Sequence, residues 1–323
     1  MHGLFHDFGI SPAQIETVDP ARADRNWEPG FKTKIAPSRE EAIRMDDEDS
    51  AEWQVYTDGS GKDGKIGAAA VLFHNGRRIR SLRYLLGSDA DHTVPEGEGV
   101  AMVLGLELLR PERTVRRVSF AADNVSAVQR STTARAAPMQ YIWDLFRQRW
   151  DMVRRQFRHI SLTIRWVPGH EGVAGNEEAD RLAKKAVEEG SSAARRLPAP
   201  LRKPIPRSKQ AAARAVNDTL KVRARRVWRV SPRRPRMDDI DKTMPSAKFL
   251  QLTEGLSRHK ASLLIQLRSG HAPLQAHLFR MRKADSATCP GCGRERETVQ
   301  HYLMICPAYR DQRRRLIAAG GGG

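Results

Sequence analysis

Between residues 53 and 190 the hydrophobic period switches between two and about 3.6 in a fixed order, and that order limits the fold more than any other feature. WQVYT (53–57) alternates as a strand and is followed by the turn-forming run DGSGKDGK. IGAAAVLF (66–73) is a second strand, and Asn75–Gly76 is a hairpin turn into a third over 78–86. Residues 97–109 then place Val100, Val103, Leu104 and Leu108 on one helical stripe. RVSFAA (117–122) reads as a strand. A long helix over 138–157 has Ile142, Leu145, Phe146, Trp150 and Val153 on its inner side. Leu162, Ile164 and Trp166 alternate over 161–167, and a last helix covers 176–188. The order β-β-β-α-β-α-β-α predicts an α/β domain: a mixed five-stranded sheet with helices on its faces.

Charge divides the rest of the 323 residues. Residues 1–190 carry 27 basic and 29 acidic side chains, residues 191–237 carry 15 against one, and residues 238–323 carry 14 against 8. The expected organisation is a largely irregular leader (1–52), the α/β domain (53–190), a basic linker (191–244), and a helical segment with a basic tail (245–323). Prolines break both ends of the linker, and its middle has the composition of a short basic helix. Such a segment neutralises phosphates and gives salt-sensitive, sequence-blind affinity for nucleic acid; the ordinary alternative is a solvated spacer. No window approaches the ~20 apolar residues of a membrane helix. The first twenty residues lack the basic start and apolar core of a secretory signal. The cysteines number three, all beyond residue 288, which is no disulfide framework. An intracellular, reducing setting is expected, nuclear or cytoplasmic, with no membrane partner.

Four carboxylates stand at places where α/β sheets build sites: Asp58 in the end of an otherwise buried strand, Glu98 opening a helix, Asp123 ending a strand, and Asp180 on the last helix. Singly, each has an ordinary explanation as turn former, dipole partner, cap or solvated acid. Converging, they would repel one another unless a hard cation such as Mg²⁺ lay between them. Two such ions about 4 Å apart activate a water and stabilise a leaving oxygen in phosphodiester hydrolysis.

YTDGSG (56–61), TVPEGEGVAMVLGLELL (93–109), FAADN (120–124) and WVPGHEGVAGNEEADRLAKKA (166–186) resemble the signature blocks of a type 1 ribonuclease H, in the family's order. The resemblance covers about residues 53–190. It implies a ribonuclease H-like fold, and an endonuclease that cuts the RNA strand of RNA–DNA hybrids using two Mg²⁺ ions, with Mn²⁺ as a substitute. By this resemblance Asp58, Glu98 (rather than Glu96), Asp123 and Asp180 hold the ions. His170, in the VPGH loop, assists proton transfer or product departure, and Gly59, Ser60 and Asn124 contact the substrate. Recognition of 2′-hydroxyls across a wide minor groove would distinguish RNA from DNA without reading sequence. Val125 and Val94 depart from the polar residues relatives often carry there. Gly97 and Gly99, flanking Glu98, weaken a helix by about 1 kcal/mol each against Ala, with no reason visible in the sequence.

Near the end, Cys289, Cys292, His301 and Cys306 form C-x₂-C-x₈-H-x₄-C, a spacing that suits a closed tetrahedral Zn²⁺ site. The amphipathic stretch 261–281 precedes it and RDQRRR (310–315) follows. Residues 245–315 resemble the carboxy-terminal region of non-LTR retrotransposon polyproteins, particularly fungal Tad-like elements. That resemblance implies nucleic acid as a partner, and a reverse transcriptase as a second one. The 52 residues before the α/β domain are too few for a polymerase, so the expectation is a fragment of a polyprotein or a remnant gene product. The competing expectation is a catalytically silent nucleic-acid-binding relic, against which all four carboxylates stand.

Overall fold

The computed structural model describes residues 8, 11–22, 26–238, 241–246 and 248–320. The chain divides into two compact units, the first ending at Thr219 and the second starting at Leu220.

In the first unit, β1 (Lys32–Lys34) and α1 (Arg39–Asp47) precede a meander of β2 (Trp53–Lys62), β3 (Lys65–His74) and β4 (Arg77–Ser88). Then come α2 (Val94–Leu109), β5 (Arg117–Ala122), α3 (Val125–Ser131), α4 (Gln140–Gln156), β6 (Ser161–Trp166) and α5 (Ala174–Glu189). The sheet order is β1-β6-β5-β2-β3-β4. Strands β2, β3 and β4 are antiparallel, whereas β5 and β6 run parallel to β2. The sheet is mixed, as expected, but has six strands rather than five. The added strand is KTK, exposed throughout and parallel to β6. Three polar residues carry no periodic signal, and a short, lysine-bearing edge strand resists unwanted pairing.

The first strand also continues past Thr57. Asp58, Gly59, Ser60 and Gly61 pair with Ala69, Ala68, Gly67 and Ile66, and the chain reverses at Asp63–Gly64, both in the left-handed region (φ 50° and 72°). Asn75–Gly76 makes the second reversal in the same way, as its sequence predicts.

Helices α2 and α4 cover one face over Val55, Leu72, Leu104, Phe120, Trp143, Phe146 and Trp150. Helix α5 covers the other, with Leu182 and Ala183 against Tyr56, Val71 and Ala121, and Ile43 of α1 joins that cluster. Buried Arg165 on β6 anchors α1: it forms ion pairs with Asp46 and Asp49 and donates to Ser119 Oγ at 2.7 Å. Residues flanking the 53–190 stretch therefore belong to this packing. Glu16, itself buried, accepts from the amides of Met139 and Lys209 at 2.6 and 2.9 Å. Leu197 and Leu201, in the stretch read as linker, are buried in the core. The basic helix expected to be short is the 21-residue α6 (Lys209–Arg229).

The second unit contains α7 (Arg234–Asp238), α8 (Lys248–Thr253), α9 (Arg258–Ser269), α10 (Gln275–Arg280), a π-turn over His301–Ile305, and α11 (Arg310–Gly320). Among its described residues, the buried ones are Ala272, Cys289, Glu297, His301 and Cys306. It thus has almost no apolar core.

Candidate active site and metal centres

Strand β2 lies inside the sheet between β5 and β3, which puts Asp58 in the middle of the structure with 4% of its surface exposed. Asp123 follows β5 directly, and Trp166 Nε1 donates to its carbonyl at 2.9 Å. Glu98 projects from the first turns of α2. One carboxylate oxygen from each of Asp58, Glu98 and Asp123 lies within 4.8 Å of the others.

Glycines make this convergence possible. A Cβ on Gly59 would come 2.3 Å from the Glu98 backbone nitrogen, and one on Gly97 would come 3.0 Å from the Gly67 carbonyl and 3.2 Å from the Gly59 Cα. A Cβ on Gly99 would come 2.8 Å from Ile142. The glycines beside Glu98, unexplained by helix propensity, let α2 cross β2 and β3 at backbone contact and let α4 close over it. Glu96 has a different task. Fully buried, its Oε2 accepts from the Thr93 amide at 2.7 Å and the Thr93 hydroxyl at 3.0 Å, and its Oε1 accepts from the Tyr141 hydroxyl at 3.1 Å. It completes a capping box, leaving Glu98 as the acid that faces the cluster.

The electrostatics are those of uncompensated negative charge. Burial, then the Asp123 and Asp180 charges, push the Asp58 carboxyl up to about 8. Burial and the charges of Asp123 and Asp58 hold Glu98 well above the carboxylate range, while a hydrogen bond from the Gly59 amide pulls the other way. Asp123 is raised chiefly by burial, and the nearby His170 opposes that shift. Asp58 Oδ2 and Glu98 Oε2 are buried without any hydrogen-bond partner. Buried polar atoms are ordinarily satisfied, so two orphaned carboxylate oxygens in one cluster of acids fit a divalent cation with oxygen ligands.

The other predicted residues are placed as follows. Asp180 on α5 is outside the group of three; its Oδ2 accepts from Lys184 Nζ at 2.6 Å, although its charge reaches Asp58 and Asp123. His170 has a left-handed backbone (φ 59°) in the loop after β6, and its neighbour Gly169 is a close approach, since a Cβ there would come 2.9 Å from Asp123 Oδ2. Asn124 caps α3, its Oδ1 accepting from the Ala127 amide at 3.2 Å, and lines a cleft with Glu98. Ser60 is nearly buried on β2, and the Gly59 amide is engaged by Glu98.

The four predicted ligands in the second unit also come together: Cys289, Cys292, His301 and Cys306 present donor atoms within 4.8 Å of one another. Cys289 Sγ is 3.7 Å from Cys306 Sγ, and Cys292 Sγ is 3.4 Å from His301 Nε2. Backbone amides of Glu295 and Arg294 pull the Cys292 thiol down to about 6, favouring the thiolate that binds metal. His301 Nδ1 lies 3.0 Å from Glu295 Oε2, which leaves Nε2 turned toward the sulfurs. Two acidic residues the sequence did not single out support this centre. Glu295 orients the imidazole; Glu297 accepts from the Gln275 amide at 2.8 Å and lies 3.8 Å from Cys289 Sγ.

Comparison with known proteins concerns the first unit. The RNase H family profile matches residues 50–188. The chain is 34% identical over 149 residues to a ribonuclease H of Maricaulis maris, covering 42% of this chain and 93% of that protein. It is 33% identical over 151 residues to one from Nitrosococcus oceani, covering 42% of this chain and 95% of the other. A crystal structure of RNase H1 from Halobacterium salinarum is similar over 42% of this chain and 98% of its own, with 21% identity and a TM-score of 0.34.

Proposed function

The chain belongs to the ribonuclease H family, and on that premise we propose that it hydrolyses the RNA strand of RNA–DNA hybrids by two-metal catalysis, with Asp58, Glu98, Asp123 and Asp180 as the ligands of two Mg²⁺ ions or their Mn²⁺ substitutes. The observation that carries the reading is the meeting of Asp58, Glu98 and Asp123 oxygens within 4.8 Å, two of those carboxylates having an orphaned buried oxygen. Divalent ions held by these carboxylates would supply activation of a water and stabilisation of the leaving 3′ oxygen. The protein supplies the orientation. The Gly59 amide fixes Glu98, Lys184 restrains Asp180, and the rigid centre of the sheet fixes Asp58. His170, whose charge acts on Asp123, would accept or donate a proton as the product leaves. Gly59, Ser60 and Asn124 are the proposed contacts to the strand, and Asn124 shares a cleft with Glu98.

In the second unit, Cys289, Cys292, His301 and Cys306 are the proposed ligands of one structural Zn²⁺. With the basic residues of α6 and 310–315, this unit would tether the enzyme to nucleic acid through phosphates. The arrangement accords with origin in a non-LTR retroelement, where RNA is removed after reverse transcription. The test is a labelled RNA–DNA hybrid incubated in Mg²⁺ beside RNA–RNA and DNA–DNA duplexes. Cleavage confined to the RNA of the hybrid is expected. Equal cutting of all three duplexes would overturn the substrate assignment.

A further inference from the structure

The end of α6 sets one aromatic residue among cations. Trp228 and Arg229 stand three and four residues after Arg225, which puts all three on one face of the helix. They border a cleft of about 450 Å³ that Arg234, Asp238, Lys242, Met244 and Pro245 complete. The whole cleft lies within the second unit. Its apolar members Trp228, Met244 and Pro245 are partly buried, whereas Arg225, Arg229 and Lys242 are exposed. An apolar interior thus carries a cationic rim. The neighbouring Val222, Val227 and Val230 stand in solvent, so the indole is the large apolar group that this stretch shelters.

The rim is short of negative charge. Asp238 is held by Arg234 at 2.9 Å, and among the described residues no acid pairs with Arg225, Arg229 or Lys242. Like charges four residues apart on a helix repel, so this rim favours an anion between them. The indole is itself incomplete, because its buried Nε1–H has no acceptor among the described residues. A flat aromatic face beside unpaired cations is complementary to a nucleotide, whose base stacks on the ring while its phosphates meet the charges. A duplex hides the faces of its bases in its own stack. Only an unpaired base can offer one to Trp228.

We propose that this cleft binds a nucleotide of single-stranded RNA or DNA, its base stacked on Trp228 and its phosphates held by Arg225, Arg229 and Lys242. The assignment rests on the tethering role proposed above for the second unit, and narrows it from phosphates in general to an unpaired strand.

The full chain is compared with Trp228→Ala, Trp228→Phe and the double variant Arg225→Gln, Arg229→Gln by fluorescence anisotropy of short labelled single strands across a salt series. Circular dichroism and thermal melts check that each variant is folded. Trp228→Ala is expected to bind about tenfold more weakly, and Trp228→Phe to keep most of the affinity. The salt slope falls by about 0.7 for each arginine removed and stays unchanged in Trp228→Ala. A fully abasic strand of equal length and charge tests the stacking without any variant. The wild type is expected to bind it as weakly as Trp228→Ala binds the ordinary strand, and Trp228→Ala not to distinguish the two. Comparing RNA with DNA strands identifies which of them the cleft prefers. Salt-sensitive binding that ignores both the loss of Trp228 and the loss of the bases overturns the stacking site and leaves the tether standing. A chain with no salt-sensitive affinity for any strand or duplex overturns both. An equal loss on a blunt duplex overturns the preference for an unpaired strand, and a nucleoside monophosphate that competes as well as the strand overturns the strand in favour of a free nucleotide.

Discussion

Asp58 sits where ionisation is costly, and its carboxyl is pushed up to about 8, from an ordinary value of 3.8, by burial first and by Asp123 and Asp180 next. A carboxyl with a raised folded pKa holds its proton more tightly in the native state than in the unfolded one. Its contribution to stability is therefore fully present below the unfolded pKa and is lost as pH rises through the folded one. The metal-free protein is expected to melt at a lower temperature at about pH 8.5 than at about pH 5, and Asp58→Asn to flatten that difference. Thermal melts in chelator check this; an unchanged slope in Asp58→Asn contradicts it. Two neighbouring acids test the assignment from another side. Glu96→Ala removes the partner of Thr93 and Tyr141 and is expected to cost about 2 kcal/mol of stability. Glu98→Gln is expected to abolish cleavage and keep the fold. Paired melts and cleavage assays on the two variants decide between them, and the reverse pattern refutes the choice of Glu98. The sequence already favoured Glu98 through the apolar helix it opens. It could not show why Gly97 and Gly99 flank it, because the reason is a contact with Gly59, Gly67 and Ile142 made only in the folded state.

At the scale of elements, strands and helices with a strong period were legible, including the two hairpin reversals and the inner face of α4. Three features were not. The strand β1 is three polar residues long. The short helix α3 lies behind the Asp123–Asn124 cap. The turn-like run DGSG is strand because Gly59 and Gly61 let α2 and Val94 approach it. The same gap in legibility hid the role of the leader. Buried Arg165 relies on Asp46 and Asp49, Trp150 Nε1 donates to the Pro29 carbonyl at 2.5 Å, and Phe31 packs against Phe146 and Trp150. A protein limited to residues 53–190 leaves that arginine buried without its partners, a loss that typically costs about 3–5 kcal/mol. It is expected to melt well below one spanning residues 11–219; equal melting temperatures would show these flanking segments to be dispensable.

For the whole molecule, two units draw stability from different sources. The first has an apolar core on both faces of its sheet. Among its described residues the second buries Cys289, His301 and Cys306 and little else, while Leu250, Leu252, Ile265 and Met304 remain exposed. Small modules of that kind depend on their metal for folding. A zinc chelator is expected to lower helix content by circular dichroism and open residues 245–315 to proteases, while the melting transition of the first unit stays in place. A second unit that keeps its protection in chelator would contradict a structural metal. The spacing of the Cys/His cluster was readable in the sequence; the neighbouring Glu295 and Glu297 were not, since acids among acids and arginines give no pattern.

In the proposed function, the carboxylates gathered around Asp58 are a metal-dependent centre for cutting RNA in hybrids. Single-turnover cleavage of one labelled RNA–DNA hybrid by the wild type and by Asp58→Asn, with and without Mg²⁺, tests this. The predicted result is RNA cleavage by the wild type in Mg²⁺ alone, and none by folded Asp58→Asn. Cleavage that survives either the substitution or the removal of the ion would show that these carboxylates are not a metal-dependent centre.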